Sequence, residues 1–149
     1  MKARRMPGHL IRRLNQYSTQ VFTKRIQEAG IDLTSVQFAA LDAIISRPGI
    51  DQATVADMIA CDRATTGGVI DRLQQRGYVE RTVCERDRRA REVRPTEKGV
   101  DTFEEILPIV NKLQKEILTG LNESEQIKFM YLAGKILGNH SEVDLLEIS

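Results

Sequence analysis

In the stretch "DRATTGGVIDRL" (62–73), Thr66, Ile70 and Leu73 recur at i, i+4 and i+7, so a helix built on it turns them to a core. Arg63, Thr65, Gly67, Gly68 and Arg72 then fall on the outward side. Arg63 can pair with phosphate or the O6/N7 edge of guanine, and Thr65 can donate to either or touch a thymine methyl. Each glycine inside a helix costs roughly 1 kcal/mol relative to alanine. Gly67 and Gly68 therefore point to something that needs the backbone close. Close approach to a duplex is the expectation, most strongly for Gly68; close approach of a facing helix over 51–60 is the alternative. A second cationic group, "CERDRRARE" (84–92), lacks periodicity and reads as an exposed loop carrying Arg88, Arg89 and Arg91.

Other candidate groups are sparser. His9, Arg13 and Tyr17 are four apart and share one helix face. With Phe38 they could meet an anionic aromatic ligand through a cation, a hydrogen bond and a stacking surface, or they could be surface and interface residues. Cys61 and Cys84 are the only cysteines, a usage that suits a reduced cytosolic protein. Cys84, among Arg81, Glu85 and Arg86, is the better candidate for a lowered thiol pKa, so redox sensing through Cys84 or Cys61 stands as an alternative function. His9 and His140 are the only histidines, too scattered for a His/Cys metal set. With no phosphate loop, GxSxG or dinucleotide fingerprint, no enzyme activity, metal or cofactor is expected.

Charge is distributed to match. Residues 63–98 carry ten Lys or Arg, nine of them Arg, against six Asp or Glu, while 99–149 carry four against nine. The net charge is only +1, so this polarity, rather than the total, suits a polyanion partner. No apolar run approaches the ~18 residues of a membrane span, and the start "MKARRMPGHLIRRL" has no uninterrupted apolar region. A cytoplasmic protein is expected.

The elements that must position these residues follow from periodicity and caps. Leu10, Leu14, Tyr17, Val21 and Ile26 mark a first helix over 8–29, closed at Gly30. Thr34 with Gln37 has capping-box chemistry for a second helix faced by Phe38, Leu41, Ile44 and Ile45. A short third helix in "DQATVADMIA" turns Val55, Met58 and Ile59 inward, and the glycine-bearing helix follows, stopped at Gly77. "YVERTV" (78–83) alternates with period two, Val79, Arg81 and Val83 on one side, and "VRP" (93–95) is its return strand. Thr96 opens a long helix that Pro108, inside it, should bend, because it removes a backbone bond and crowds residue 104. Asn122 with Glu125 caps a last helix, and the tail "VDLLEI" adds apolar residues with no core left to enter.

Two short helices followed by a basic hairpin form a winged helix-turn-helix, in which the second helix enters the major groove and the hairpin is the wing. A winged helix used purely for protein contact is the alternative, and it has no need of an arginine-rich wing. On the stretch "DRATTGGVIDRLQQRGYVERTVCERDRRAREVRPTEKG", with its Asp87-x-Arg89 pattern and "RPTEKG" junction, the chain resembles the MarR-type transcriptional regulators over essentially its whole length. The resemblance implies that Asp87 orients an arginine like Arg89 toward the minor groove, where narrow A·T-rich segments concentrate negative potential. It departs from the family at Gly67 and Gly68, where longer polar residues are common.

The resemblance further implies a homodimer built from the first and last helices, reading a pseudo-palindromic duplex, and responding to small aromatic acids, phenols or acyl-CoA thioesters. The expected architecture is mainly α with a small β-hairpin wing: one unit over 1–149, with 34–99 the winged helix-turn-helix and 1–33 plus 100–149 the helical dimerisation region. Arg63, Thr65, Gly68 and Arg72, supported by Thr66, would serve the major groove. Arg88, Arg89 and Arg91 would serve the wing, and a repressor released by its ligand is the expected function.

Overall fold

The computed structural model describes residues 1–83 and 91–138. The chain divides into a compact unit over 1–113 and a second over 114–149. A short 3-10 turn at Lys2–Arg5 precedes α1 (Pro7–Glu28), α2 (Ser35–Ser46), β1 (Ile50–Asp51), α3 (Gln52–Met58) and α4 (Arg63–Gln75). The wing strands β2 (Val79–Val83) and β3 (Arg91–Pro95) follow, then α5 (Glu97–Ile117) and α6 (Glu123–Ile136).

Local chemistry sets most of these ends. Pro7 opens α1, where its missing N–H costs nothing. Gly30 closes it at φ +76°, letting its own N–H reach the carbonyl of Gln27 and that of Ile31 reach Ile26. Thr34 and Gln37 form the expected reciprocal capping box on α2, both bonds 3.1 Å. Asn122 and Glu125 do the same on α6, both at 2.9 Å. The carboxylates of Asp51 and Asp62 accept from the backbone of Thr54 and Thr65, each at 2.8 Å, and so open α3 and α4.

In the first unit α2 packs on α4, and α3 packs on both. Ile26, Leu41, Ile44, Val55, Ile70 and Leu73 are fully enclosed there, with Val79 and Val93 from the sheet. Three details differ from the sequence-based expectation. The wing belongs to a three-stranded antiparallel sheet in the order β1-β3-β2: Ile50 pairs with Val93 and Asp51 with Glu92. A two-residue strand is too short to show alternation. The return strand also begins at Arg91 rather than 93, because Arg91 and Glu92 pair with Val83 and Thr82. Finally, Met58 is exposed, its sulfur near Arg47, while Ala56 takes the buried place beside Val55.

In the second unit α6 has no buried residue, and Ile127, Tyr131, Leu132, Ile136 and Leu137 are exposed. On α1 the apolar residues split by position. Val21, Phe22 and Ile26 are enclosed, whereas Leu10, Ile11, Leu14 and Tyr17 are exposed. The tail "VDLLEI" lies outside the described residues. Among the described residues, no helix is long and apolar enough to cross a membrane.

Candidate nucleic-acid interface

Helix α4 presents two chemically distinct faces. Inward, Thr66, Ile70 and Leu73 are fully buried, and the Thr66 hydroxyl donates to the Asp62 carbonyl at 2.8 Å. Thr66 is thus satisfied locally and supports the helix start. Outward, Arg63, Thr65, Gly68 and Arg72 are exposed. The Thr65 hydroxyl donates to Asp62 at 2.7 Å, which orients its methyl and oxygen at the rim of that face. The backbone N–H and then the hydroxyl of Thr65 hold the Asp62 carboxyl below its ordinary 3.8, so the cap stays ionised.

The two glycines separate. A β-carbon at Gly67 would lie 3.0 Å from Nε2 of Gln52, the first residue of α3, whereas one at Gly68 would meet nothing within 4 Å. Gly67 thus faces the helix over 52–58, the alternative left open above, across the end of a flexible glutamine that a β-carbon would displace by a few tenths of an ångström. Gly68 opens onto bare surface, so nothing among the described residues requires a glycine there.

Arg81 of β2 went unremarked in the sequence as a site residue. Its side chain is 12% exposed. Nη1 donates to Asp71 and to Gln74 (3.1 Å), while Nη2 donates to Gln52 (3.2 Å) and the Gly67 carbonyl (3.3 Å). The one available signal was strand alternation, which puts Arg81 on the same side as buried Val79.

A second junction ties the end of α4 to the start of α5. The Thr96 hydroxyl donates to the Gly77 carbonyl, Lys98 donates to the Arg76 carbonyl at 2.9 Å, and Lys98 also lies 5.4 Å from the Tyr78 ring centre. Gly99 admits no side chain, because a β-carbon there would collide with the Tyr78 carbonyl. Arg76 itself pairs with Asp32 at 2.7 Å. The "RPTEKG" segment is thus a clamp on the C-terminus of α4, supplying one hydroxyl and one cation to carbonyls that a helix end leaves unpaired.

Of the wing residues, Arg91 is exposed at the first position of β3. Arg88, Arg89 and the orienting Asp87 lie outside the described residues, as does Cys84. Cys61 is half-buried after α3 and free. His9 and Arg13 line a shallow cleft along α1 with Arg4 and Arg12. Tyr17 and Phe38 do not line it. Phe38 instead stacks on Phe103, centres 5.1 Å apart, and tilts against Phe22 at 5.9 Å. Phe22 follows His9 by thirteen residues, about 20 Å of helix, so one chain does not bring the four candidates into a single pocket. The first 27 residues hold seven Lys or Arg and no Asp or Glu, a bias that spacing arguments alone did not expose.

Comparison with known proteins agrees with this geometry. The model of the MarR family matches residues 31–90, which run from just before α2 to just before β3. The transcriptional repressor NicR of Pseudomonas putida is 31% identical over 130 residues, 87% of this chain and 81% of its own. The transcriptional regulator HosA of Escherichia coli is 32% identical over 137 residues, 92% and 98% of the two chains. Among solved structures, Bordetella bronchiseptica BpsR, whose DNA binding is regulated by 6-hydroxynicotinic acid, superposes with a TM-score of 0.81. It is 31% identical, covering 89% of this chain and 93% of its own. A cysteine-to-serine mutant of Escherichia coli MarR complexed with operator DNA has a TM-score of 0.81 at 26% identity, covering 91% and 96%. The fold, the exposed arginine-bearing α4 and these likenesses together assign the chain to the MarR family of DNA-binding transcriptional regulators.

Proposed function

We propose that the chain acts as a homodimeric repressor that reads a pseudo-palindromic duplex and is released by a small aromatic acid, phenol or acyl-CoA thioester. The observation that carries the DNA reading is the outward face of α4, where exposed Arg63, Thr65 and Arg72 flank a Gly68 that none of the described residues crowds. In this reading α4 lies in the major groove, and Gly68 lets its backbone approach the bases. Arg88, Arg89 and Arg91 follow a neighbouring minor groove or backbone, with Asp87 orienting Arg89.

Dimerisation through 1–33 and 100–149 is supported by the apolar residues that α1 and α6 leave exposed, since such surface is stabilised by burial on a partner. A two-fold dimer places its half-sites about one helical turn of DNA apart. Pairing of copies would also let His9 and the Arg13 cation of one chain serve an aromatic site of the other near Tyr17 and Phe38. The response of BpsR to a heteroaromatic acid favours that ligand class. The ligand must prefer a spacing of the two winged regions that fits DNA poorly, for otherwise binding it shifts nothing.

Selection of bound sequences from a random duplex library at about 100 mM salt, where non-specific phosphate attraction is moderated, tests the reading. Recovery of a two-fold palindrome is expected, and that duplex then serves to screen aromatic acids and thioesters for release. Recovery of nothing above background, from protein shown by native mass spectrometry to carry no bound small molecule, would overturn it.

A further inference from the structure

Helix α4 carries an acid where a DNA-facing surface should not. Asp71 follows Gly68 by three residues and Arg72 by four, so both share the neighbourhood of the bare glycine. The Asp71 side chain is 58% exposed. Facing a duplex it would repel phosphate, unless its charge is cancelled within the protein.

Arg81 supplies that cancellation from beneath. Its guanidinium pairs with Asp71, and the same fork reaches Gln74, Gln52 and the Gly67 carbonyl. The four partners come from α3 and two turns of α4, and the cation comes from the first wing strand. The side chain is largely buried, and its Nε has no partner among the described residues. Such a group is spent on the protein's interior and has little reach left for a phosphate outside. Gly67 lies beside the arrangement, with the Gln52 amide 3.0 Å from where its β-carbon would be.

We propose that Arg81 is a positioning residue for operator recognition: it neutralises Asp71 on the reading face of α4, without itself contacting DNA. The proposal rests on the DNA-binding reading above. If it holds, Asp71 matters to DNA only when Arg81 is gone.

The test is a double-mutant cycle on the duplex that the wild-type chain selects, with melting temperatures recorded alongside. Arg81→Gln should lower affinity about tenfold or more, Asp71→Asn should change it by less than about threefold, and the double variant should recover most of the loss. Arg81→Lys, which keeps a cation beside Asp71 and folds more safely, should stay within about threefold of wild type. If Asp71→Asn raises affinity by the same factor with Arg81 present as without it, the two residues are uncoupled and the proposal fails. It fails too if Lys loses as much as Gln. A wild-type chain that selects no duplex overturns the DNA-binding reading and this proposal with it; wild-type binding with a flat cycle overturns this proposal alone.

Discussion

Gly67, Gly68 and Gly99 sit in α4 and α5 where propensity alone disfavours them, and their surroundings differ. Gly99 is demanded by the backbone of Tyr78, so Gly99→Ala should destabilise the fold by about 2 kcal/mol or more, the scale of overpacking, as a lowered urea midpoint. Gly68 meets nothing, so Gly68→Ala should raise stability by up to about 1 kcal/mol while weakening binding to the selected duplex. Higher stability with unchanged affinity would remove the argument for close approach at that position. Arg89 belongs to the same scale. If it enters the minor groove, Arg89→Ala should weaken binding and reduce the salt dependence by about one unit of slope, and an unchanged slope would count against a wing contact there.

At the scale of elements, the ends of α3 and α4 invite measurement. Asp51 and Asp62 both have carboxyl groups held below 3.8, first by the backbone N–H and then by the hydroxyl of the threonine three residues on. A depressed folded-state pKa contributes stability above the unfolded value and loses it as pH falls through the folded one. The urea midpoint should therefore hold from neutral pH to about 5 and fall below about 4. Asp51→Asn and Asp62→Asn, which keep a capping oxygen, should flatten that acid limb. The C-terminus of α3 has a different defect. Ala60 occupies the left-handed region at φ +54°, where its N–H reaches Asp57 and that of Cys61 reaches Ala56, a closure that glycine makes without strain. Ala60→Gly should raise the thermal midpoint, by about 0.5–1 kcal/mol of stability.

For the whole molecule, the decisive quantity is the apolar surface left on α1 and α6. Leu14 is 49% exposed and lies one turn from both Leu10 and Tyr17, so a carboxylate there would have to be desolvated in any interface built on that stripe. Leu14→Glu should convert a dimer to monomer in sedimentation and abolish tight binding to a two-half-site duplex while leaving the winged region folded. A dimer that survives the substitution would place the interface elsewhere. The charge polarity belongs here as well. The acid-free first 27 residues and the acidic last third predict an association that weakens with salt.

The sequence by itself determined the features whose partners lie within one turn. The Thr34–Gln37 and Asn122–Glu125 boxes, the stops at Gly30 and Gly77, the inward triad of Thr66, Ile70 and Leu73, and the strand alternation at 79–83 all join residues three, four or two apart, so chain order alone specifies them. The arginine-rich middle was equally legible, since a cluster of charges needs no fold to be counted. Only the tertiary structure decided what depends on residues brought together from afar. Gln52 and Arg81 are 29 positions apart, and their meeting against Gly67 told one glycine from its neighbour. Ile50 and Val93 pair across 43 positions, so β1 had no periodicity of its own to betray it. Phe38 met Phe22 and Phe103 rather than His9 and Arg13, because helix rise separates groups that share a face. Spacing specifies direction along one element; which element stands opposite is set by packing, and that is information no local pattern carries.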